Sequence, residues 1–460
     1  MLDILQAFFT ALPDLSPQTI GLVMIGAMLF AIFGGFPISF TLIFLGIFFG
    51  AWGFGLKVTI FLMNLQFYGS MMEQTLAAVP LFVFMGFMME QAGLMERLFS
   101  AVQLMLARMK GSLYVAVLFV SVIFGAATGI VGASVTILGI MAARTMNRSG
   151  YDVRLAAGTI TAGGTLGILI PPSIMLVVMG PVLEIPVTDL FAAAIMPGVM
   201  MAGLYLLYAV GRSYLNPNLG PPLPEDMIPE DRSFVWKEFA LGLVPPTILI
   251  AFAMGSILSG WATPTEGAGI GALGSILLTI GYRKFTLKKT YDALLKTLEI
   301  SVLILFLVAA SNFFGAVFSR LGTPTMITEW LIALDVSAGW IIVIVLALVF
   351  VLGWPLEWVP IVLIILPIFY PVLLELDLGM PIEDLKLWFA ILVAVCLQTA
   401  WLSPPVALSA YFLKGVVPEW DLSDIYLGMM QFMGIQILGL ALVFLIPGIA
   451  LWLPHYFYGS

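Results

Sequence analysis

Leu166-Gly167-Ile168-Leu169-Ile170-Pro171-Pro172-Ser173-Ile174-Met175 sets a proline pair inside an apolar run. Gln398-Thr399-Ala400-Trp401-Leu402-Ser403-Pro404-Pro405-Val406-Ala407-Leu408 does so again 233 residues later, about half of the 460-residue chain. Proline removes an N–H and clashes with the preceding turn. At bilayer depth the freed carbonyls are tolerated only where protein or a water-filled cavity satisfies them. Matching broken helices in the two halves of a membrane protein point to a site near the bilayer midplane.

Composition sets the class around these breaks. Hydrophobic residues make up 62% of the chain and charged residues 10%, and mean hydropathy is +1.12. The expected fold is therefore an all-α polytopic membrane protein. The net charge of −8 is thinly spread and no basic run suggests a nucleic acid. One cysteine, Cys396 in an apolar run, and one histidine, His455, exclude a disulfide framework and argue against a zinc or haem site. The N-terminus has no basic start of the signal-peptide kind, so the first apolar segment is expected to be retained.

Apolar segments recur along the chain, and two of them, 113–141 and 339–373, exceed the roughly 20 residues one crossing needs. Each carries a breaker near its middle: Gly125-Ala126-Ala127-Thr128-Gly129 in the first, Gly353-Trp354-Pro355-Leu356-Glu357 in the second. Both read as re-entrant hairpins whose tips reach the midplane. Each half then holds three helices, a hairpin, a broken helix (155–178 and 387–412) and a closing helix. The expected division is a first repeat over 1–211, a polar proline-rich linker over 212–237 and a second repeat over 238–460. Short amphipathic pieces at 95–109 and 284–295 are expected to lie along the membrane surface.

Five crossings per half is odd, so the second repeat must insert upside down. With the N-terminus outside, fifteen of the eighteen basic residues fall in cytoplasmic loops, leaving Lys57, Arg320 and Lys386 outside. That bias places both termini on the outer face. The aromatic end, Trp452 through Tyr456, Phe457 and Tyr458, suits an interfacial belt there.

Phe124 through Ser134, Gly150-Tyr151-Asp152, Gly164 through Ser173, Ala262-Thr263-Pro264-Thr265-Glu266, and Leu397 through Pro405 with Phe412-Leu413-Lys414-Gly415 together resemble the large membrane subunit of TRAP (tripartite ATP-independent periplasmic) transporters, the DctM-like family. The resemblance spans nearly the whole chain, and the second hairpin looks like the mannitol/chloroaromatic branch. It implies two inverted repeats working as an elevator-type, sodium-driven symporter in the bacterial inner membrane. It also implies two partners, a small four-helix membrane subunit and a soluble periplasmic binding protein that delivers a small organic acid.

The residues are consistent with that on physical grounds. No Gly-x-x-x-x-Gly-Lys-Ser/Thr occurs, so no P-loop for ATP is present. Half-helices broken at the midplane offer N-terminal amides to an anion and C-terminal carbonyls to a cation without ionised side chains. Hard cations take oxygen ligands. Sodium, the expected coupling ion, is assigned to Thr128, Gly129, Thr165 and Gly167 at the first hairpin and break, and to Gly353, Trp354 and Thr399 at the second. The substrate is assigned to Thr161, Pro171, Pro172, Ser173, Ser311, Asn312, Glu357, Ser403, Pro404 and Pro405. Each hydroxyl could instead bond back to its own helix or stitch helices together. Glu357 could simply be an anion at a helix N-terminus. Thr263-Pro264-Thr265-Glu266 reads as a capping box.

A membrane enzyme would need a convergent nucleophile, acid and base or a metal cluster, and no His-Glu-x-x-His is present. An accessory subunit of an ion-pumping complex would not require inverted halves with matching breaks. The alternative within transporters is a stand-alone symporter that needs no binding protein.

Overall fold

A computed structural model describes residues 9, 12–225, 228, 232–334, 336–354, 356–404 and 407–459; the side chains of residues 126–128 and 232 are not described. Among the described residues there is no β-strand.

In the first half, α1 (Pro17–Phe33), α2 (Ile38–Phe54), α3 (Leu56–Met72), α4 (Ala78–Gln91) and α5 (Leu94–Met105) precede the hairpin. The hairpin is α6 (Ser112–Thr128) and α7 (Val131–Arg148). The broken helix is α8 (Val153–Thr165) with α9 (Ile174–Leu183), and α10 (Val187–Leu215) closes the half. The second half runs α11 (Arg232–Leu258), α12 (Pro264–Gly281), α13 (Leu287–Arg320) and α14 (Thr323–Ile332). Then come hairpin arms α15 (Ala338–Leu352) and α16 (Trp358–Glu375), the broken helix α17 (Ile382–Gln398) with α18 (Leu408–Val416), α19 (Leu422–Leu445) and α20 (Gly448–Tyr458). Hairpin, broken helix and closing helix thus follow one another in both halves.

Several boundaries differ from the sequence reading. The sequence leads one to expect three apolar segments before the hairpin, at 19–33, 36–54 and 77–92; α3 lies outside them, because Lys57, Asn64 and Gln66 dilute its hydropathy. It forms one bent unit with the segment from Gln74 to Gln91, turned by 55°. The expected surface piece at 284–295 is largely the start of α13, a continuous helix of 34 residues. At 1.5 Å per residue it is about 51 Å long and outreaches the roughly 30 Å hydrocarbon core, so its lysines need no separate element. The expected piece at 95–109 is α5, whose Leu94, Met95, Leu98, Phe99 and Val102 are buried. It packs on α11 so closely that a Cβ on Gly242 would lie 2.9 Å from Leu98 N. The linker is shorter than 212–237, since α10 runs to Leu215 and α11 begins at Arg232. Arg212 continues α10, donating to the Tyr208 hydroxyl at 2.9 Å.

Polar contacts gather the helix ends into two sets. Arg97 pairs with Glu238 at 3.1 Å, Arg154 with Asp424 at 2.8 Å, Asn147 bonds Glu419, and Gln91 bonds the Lys289 carbonyl. The other set joins Trp52 to Pro13, Thr323 to Gln18, Tyr458 to Leu258 and His455 to Asp384.

Between them the core is tight where the halves cross. A Cβ on Gly428 of α19 would stand 2.0 Å from Arg154 O, and one on Gly158 of α8 2.5 Å from Gly428 O. Only glycine lets these backbones approach so closely.

Candidate functional site: two hairpin tips against two helix breaks

Helix α8 ends at Thr165, one 3-10 turn follows over Leu166–Ile168, and α9 starts at Ile174. Everything from Thr165 through Ser173 is buried, and the Pro171-Pro172 peptide is cis. The break therefore sets the C-terminal carbonyl end of one half-helix near the N-terminal amide end of the next, inside the protein.

Hairpin 1 lies on this break. A Cβ on Gly167 would meet Gly125 O at 2.7 Å, and one on Gly125 would meet Gly167 N at 3.0 Å. The tip turns at Gly129, left-handed with φ 59°, and lies next to the start of α9. The turn is thus at the end of the expected Gly125–Gly129 breaker. Gly125 itself sits within α6 and serves the close approach.

The second site repeats the plan. A 3-10 turn over Thr399–Trp401 follows α17, and α18 starts at Leu408. The tip residue Gly353 sits over Ala400, with a built Cβ 3.2 Å from that methyl. Beside the contact opens a cavity of about 240 Å³ lined by Gly353, Trp354, Glu357, Ala400, Trp401 and, from the α1–α2 loop, Phe36. Glu357 is the N-cap of α16, exposed into this cavity, and makes no capping bond with its side chain. Pro404 is half-buried. Pro405 and the Thr128 side chain lie outside the described residues.

The described hydroxyls assigned at the two broken helices donate to carbonyls of their own segment. Thr161 donates to Ala157 O and Gly158 O, Thr165 to Ala162 O at 2.8 Å, and Ser173 to Ile168 O at 2.5 Å. Thr399 donates to Cys396 O and Ser403 to Thr399 O, both at 2.6 Å. Back-bonding uses the proton and leaves oxygen lone pairs, so such a hydroxyl still has acceptor capacity for a cation. Among the described residues no group of three or more His, Cys, Asp or Glu gathers for a metal.

Ser311 and Asn312 lie elsewhere. Asn312 donates to Ser70 at 2.9 Å in a second cavity of about 220 Å³, shared with Gln66, Glu73, Val178 and Pro181. Ser311 is fully buried. Asn312 therefore faces α3 and the far half of the first break, not the cavity at the second hairpin.

The remaining singled-out residues are structural. Thr263 and Glu266 form the capping box, with Pro264 at the first helical position. Cys396 is buried with its thiol toward Leu346 O, and His455 pairs with Asp384 at 2.9 Å.

Sequence reasoning passed over three buried polar residues near the breaks: Tyr205, Gln398 and Gln436. Gln436 donates to Thr165 at 3.3 Å, and Tyr205 to Gln398 at 3.4 Å. The signal was present, since a glutamine or tyrosine hydroxyl in an apolar spanning helix needs a partner.

Paired hairpins, paired breaks and long apolar helices define a multi-pass helical membrane transporter. Residues 25–449 match the family described as "Tripartite ATP-independent periplasmic transporter, DctM component". The chain is 30% identical over 386 residues to the C4-dicarboxylate TRAP transporter large permease protein DctM of Pseudomonas aeruginosa, covering 83% of this chain and 86% of that one. It is 27% identical over 439 residues to the sialic acid TRAP transporter large permease protein SiaM of Vibrio cholerae, covering 93% and 97%. Among solved structures it shares its fold with the YdaH transporter of Alcanivorax borkumensis, at TM-score 0.59 and 16% identity, covering 86% of this chain and 88% of that one. It likewise shares it with MtrF of Neisseria gonorrhoeae, at TM-score 0.59 and 14% identity, covering 95% of each. The chain belongs to the DctM family: it is a TRAP transporter large permease subunit, a multi-pass inner-membrane protein and one component of a tripartite system, in a family of transporters rather than enzymes.

Proposed function

We propose that this permease couples the inward movement of a small organic acid to a sodium gradient, with one sodium ion held at each hairpin-and-break pair. The carrying observation is the repeated contact of a hairpin-tip region with a broken helix, Gly125 on Gly167 and Gly353 on Ala400. At each contact, helix-end carbonyls and hydroxyl lone pairs can converge without an ionised side chain. Thr165 and Gly167, and Thr399 with the Gly353 and Trp354 carbonyls, are the proposed ligands. The anion is drawn by the amide ends of α9 and α18, with Ser173, Ser403 and Pro404 lining its path.

The assembly follows the tripartite family description. A small membrane subunit flanks this chain, and a periplasmic binding protein hands over the solute. The relatives named above are transporters of C4-dicarboxylates and of sialic acid, both organic acids. In this reading both termini are periplasmic and the repeats are inverted. The hairpins and broken helices move as one body past α1–α4 and α11–α13, an elevator motion.

Reconstitution tests the proposal. Vesicles containing this chain alone are expected to show no uptake. Adding the small subunit, solute-loaded binding protein and an inward sodium gradient should restore it. Full uptake by the isolated chain would instead support a stand-alone symporter.

A further inference from the structure

Thr165 stands six residues before the first proline pair and Gln398 six before the second, so the two occupy matching positions in the two halves. Tyr205 and Gln436 stand at similar but not identical offsets, 34 and 32 residues after the first proline of their own pair, on closing helices α10 and α19. All four are fully buried. Their hydrogen bonds cross between halves. Tyr205, in the first half, reaches Gln398 at the second break; Gln436, in the second half, reaches Thr165 at the first. The Tyr205 hydroxyl also lies beside Gln436 and Thr165, so the four side chains form one cluster.

We propose that Tyr205, Gln398, Gln436 and Thr165 form a crossed brace through which each closing helix positions the ion-binding break of the opposite half. Tyr205, Gln398 and Gln436 are positioning residues rather than ligands.

The geometry suits that role. Bonds of 3.3 and 3.4 Å are long, so a displacement of a few tenths of an ångström makes or breaks them. In a buried setting such a switch changes how firmly the neighbouring backbone is held. The route is short, because Gln398 directly precedes Thr399 and Thr165 directly precedes the 3-10 turn of its own break. Occupancy of one break can thus alter the other without any long-range path. The brace itself stands on the hydrogen bonds; its effect on ions rests on the sodium reading above.

The test uses the full chain in nanodiscs with its small subunit. Tyr205→Phe removes only the hydroxyl, and Gln436→Met keeps length while removing both amide atoms. Tyr208→Phe is the control, one turn along α10 and bonded to Gln431 and Arg212 instead. Hydrogen–deuterium exchange should show a crossed pattern. Tyr205→Phe accelerates exchange mainly at 399–404, and Gln436→Met mainly at 166–173, each by about two- to tenfold, the worth of one hydrogen bond. The control leaves both segments unchanged.

In proteoliposomes that hold the chain with its small subunit and are supplied with solute-loaded binding protein, the two variants should lose cooperativity between ions in sodium-activated uptake while keeping measurable transport. Exchange that changes only in the variant's own half, or in neither, overturns the brace. Crossed exchange with no sodium activation in the wild type would keep the brace and discard the sodium reading. Crossed exchange with unchanged sodium cooperativity would overturn the proposed positioning role.

Discussion

Gly167→Ala should cost sodium affinity far more than it costs folding. A Cβ at this position falls 2.7 Å from Gly125 O and 3.1 Å from Gly125 C and Cα, all backbone atoms with no rotamer to yield. Ordinary contact begins near 3.4 Å, so hairpin 1 must draw back by about 0.7 Å. Hard cations hold oxygen ligands within a window of about 0.3 Å, so that retreat takes tip ligands out of range. Overpacking of this kind costs about 1–3 kcal/mol. If the seated hairpin is the form that binds the ion, that energy comes off binding and raises half-saturating sodium by about 5- to 150-fold. Sodium titration of uptake in proteoliposomes measures it, with melting temperature and size-exclusion profile as folding controls. Gly203→Ala is the matched control, because nothing stands within 4 Å of its Cβ. Unchanged sodium dependence in a folded Gly167→Ala protein would refute the first ion site.

In a Cys396→Ala background, cysteines at exposed Asp14 and Asp377 should label with an impermeant thiol reagent in intact spheroplasts, and one at exposed Lys237 should not; labelling only at Lys237 reverses the orientation. Thr165→Val and Thr399→Val nearly conserve shape and remove hydroxyls whose protons already serve Ala162 O and Cys396 O. Each should weaken sodium activation severalfold with little change in melting temperature. Wild-type sodium dependence in both would leave ligation to carbonyls alone or assign coupling to a proton.

The order of hairpin, break and closing helix was legible in sequence because glycine and proline act locally, and a breaker in an apolar run has few other uses at bilayer depth. Where the reading slipped, a residue had two uses. Gly125 read as part of a tip, yet it sits in α6 and permits contact with Gly167, a partner 42 residues away that no local pattern encodes. Helix α3 was missed because Lys57, Asn64 and Gln66 look like a loop to hydropathy. The lysines at 284–296 looked like a surface element because the window ended where the hydrocarbon does, although α13 continues. Pairings such as Gln436 with Thr165 span 271 residues and follow no period, so sequence reveals the polar residue but not its partner.

Proline pairs do not break helices by themselves, and the chain contains its own control. Pro245-Pro246 lies within continuous α11. Pro245 cannot bond the carbonyl of Leu241 one turn back, and the Tyr282 hydroxyl donates to that carbonyl instead. A donor from the neighbouring segment after α12 thus takes up the freed carbonyl, and the helix runs on. At 171–172 the donor is local, since Ser173 bonds Ile168 O, the carbonyl Pro172 leaves free; at the second break Ser403 bonds Thr399 O one turn back. Those bonds use the hydroxyl protons and still leave oxygen lone pairs at the break. A serine beside each pair, a threonine five or six residues before it and a glycine at the hairpin contact therefore separate the two breaks from the kink-tolerant pair in α11. The same features make the breaks fit to hold an ion: each concentrates neutral oxygen where a hairpin can close over it.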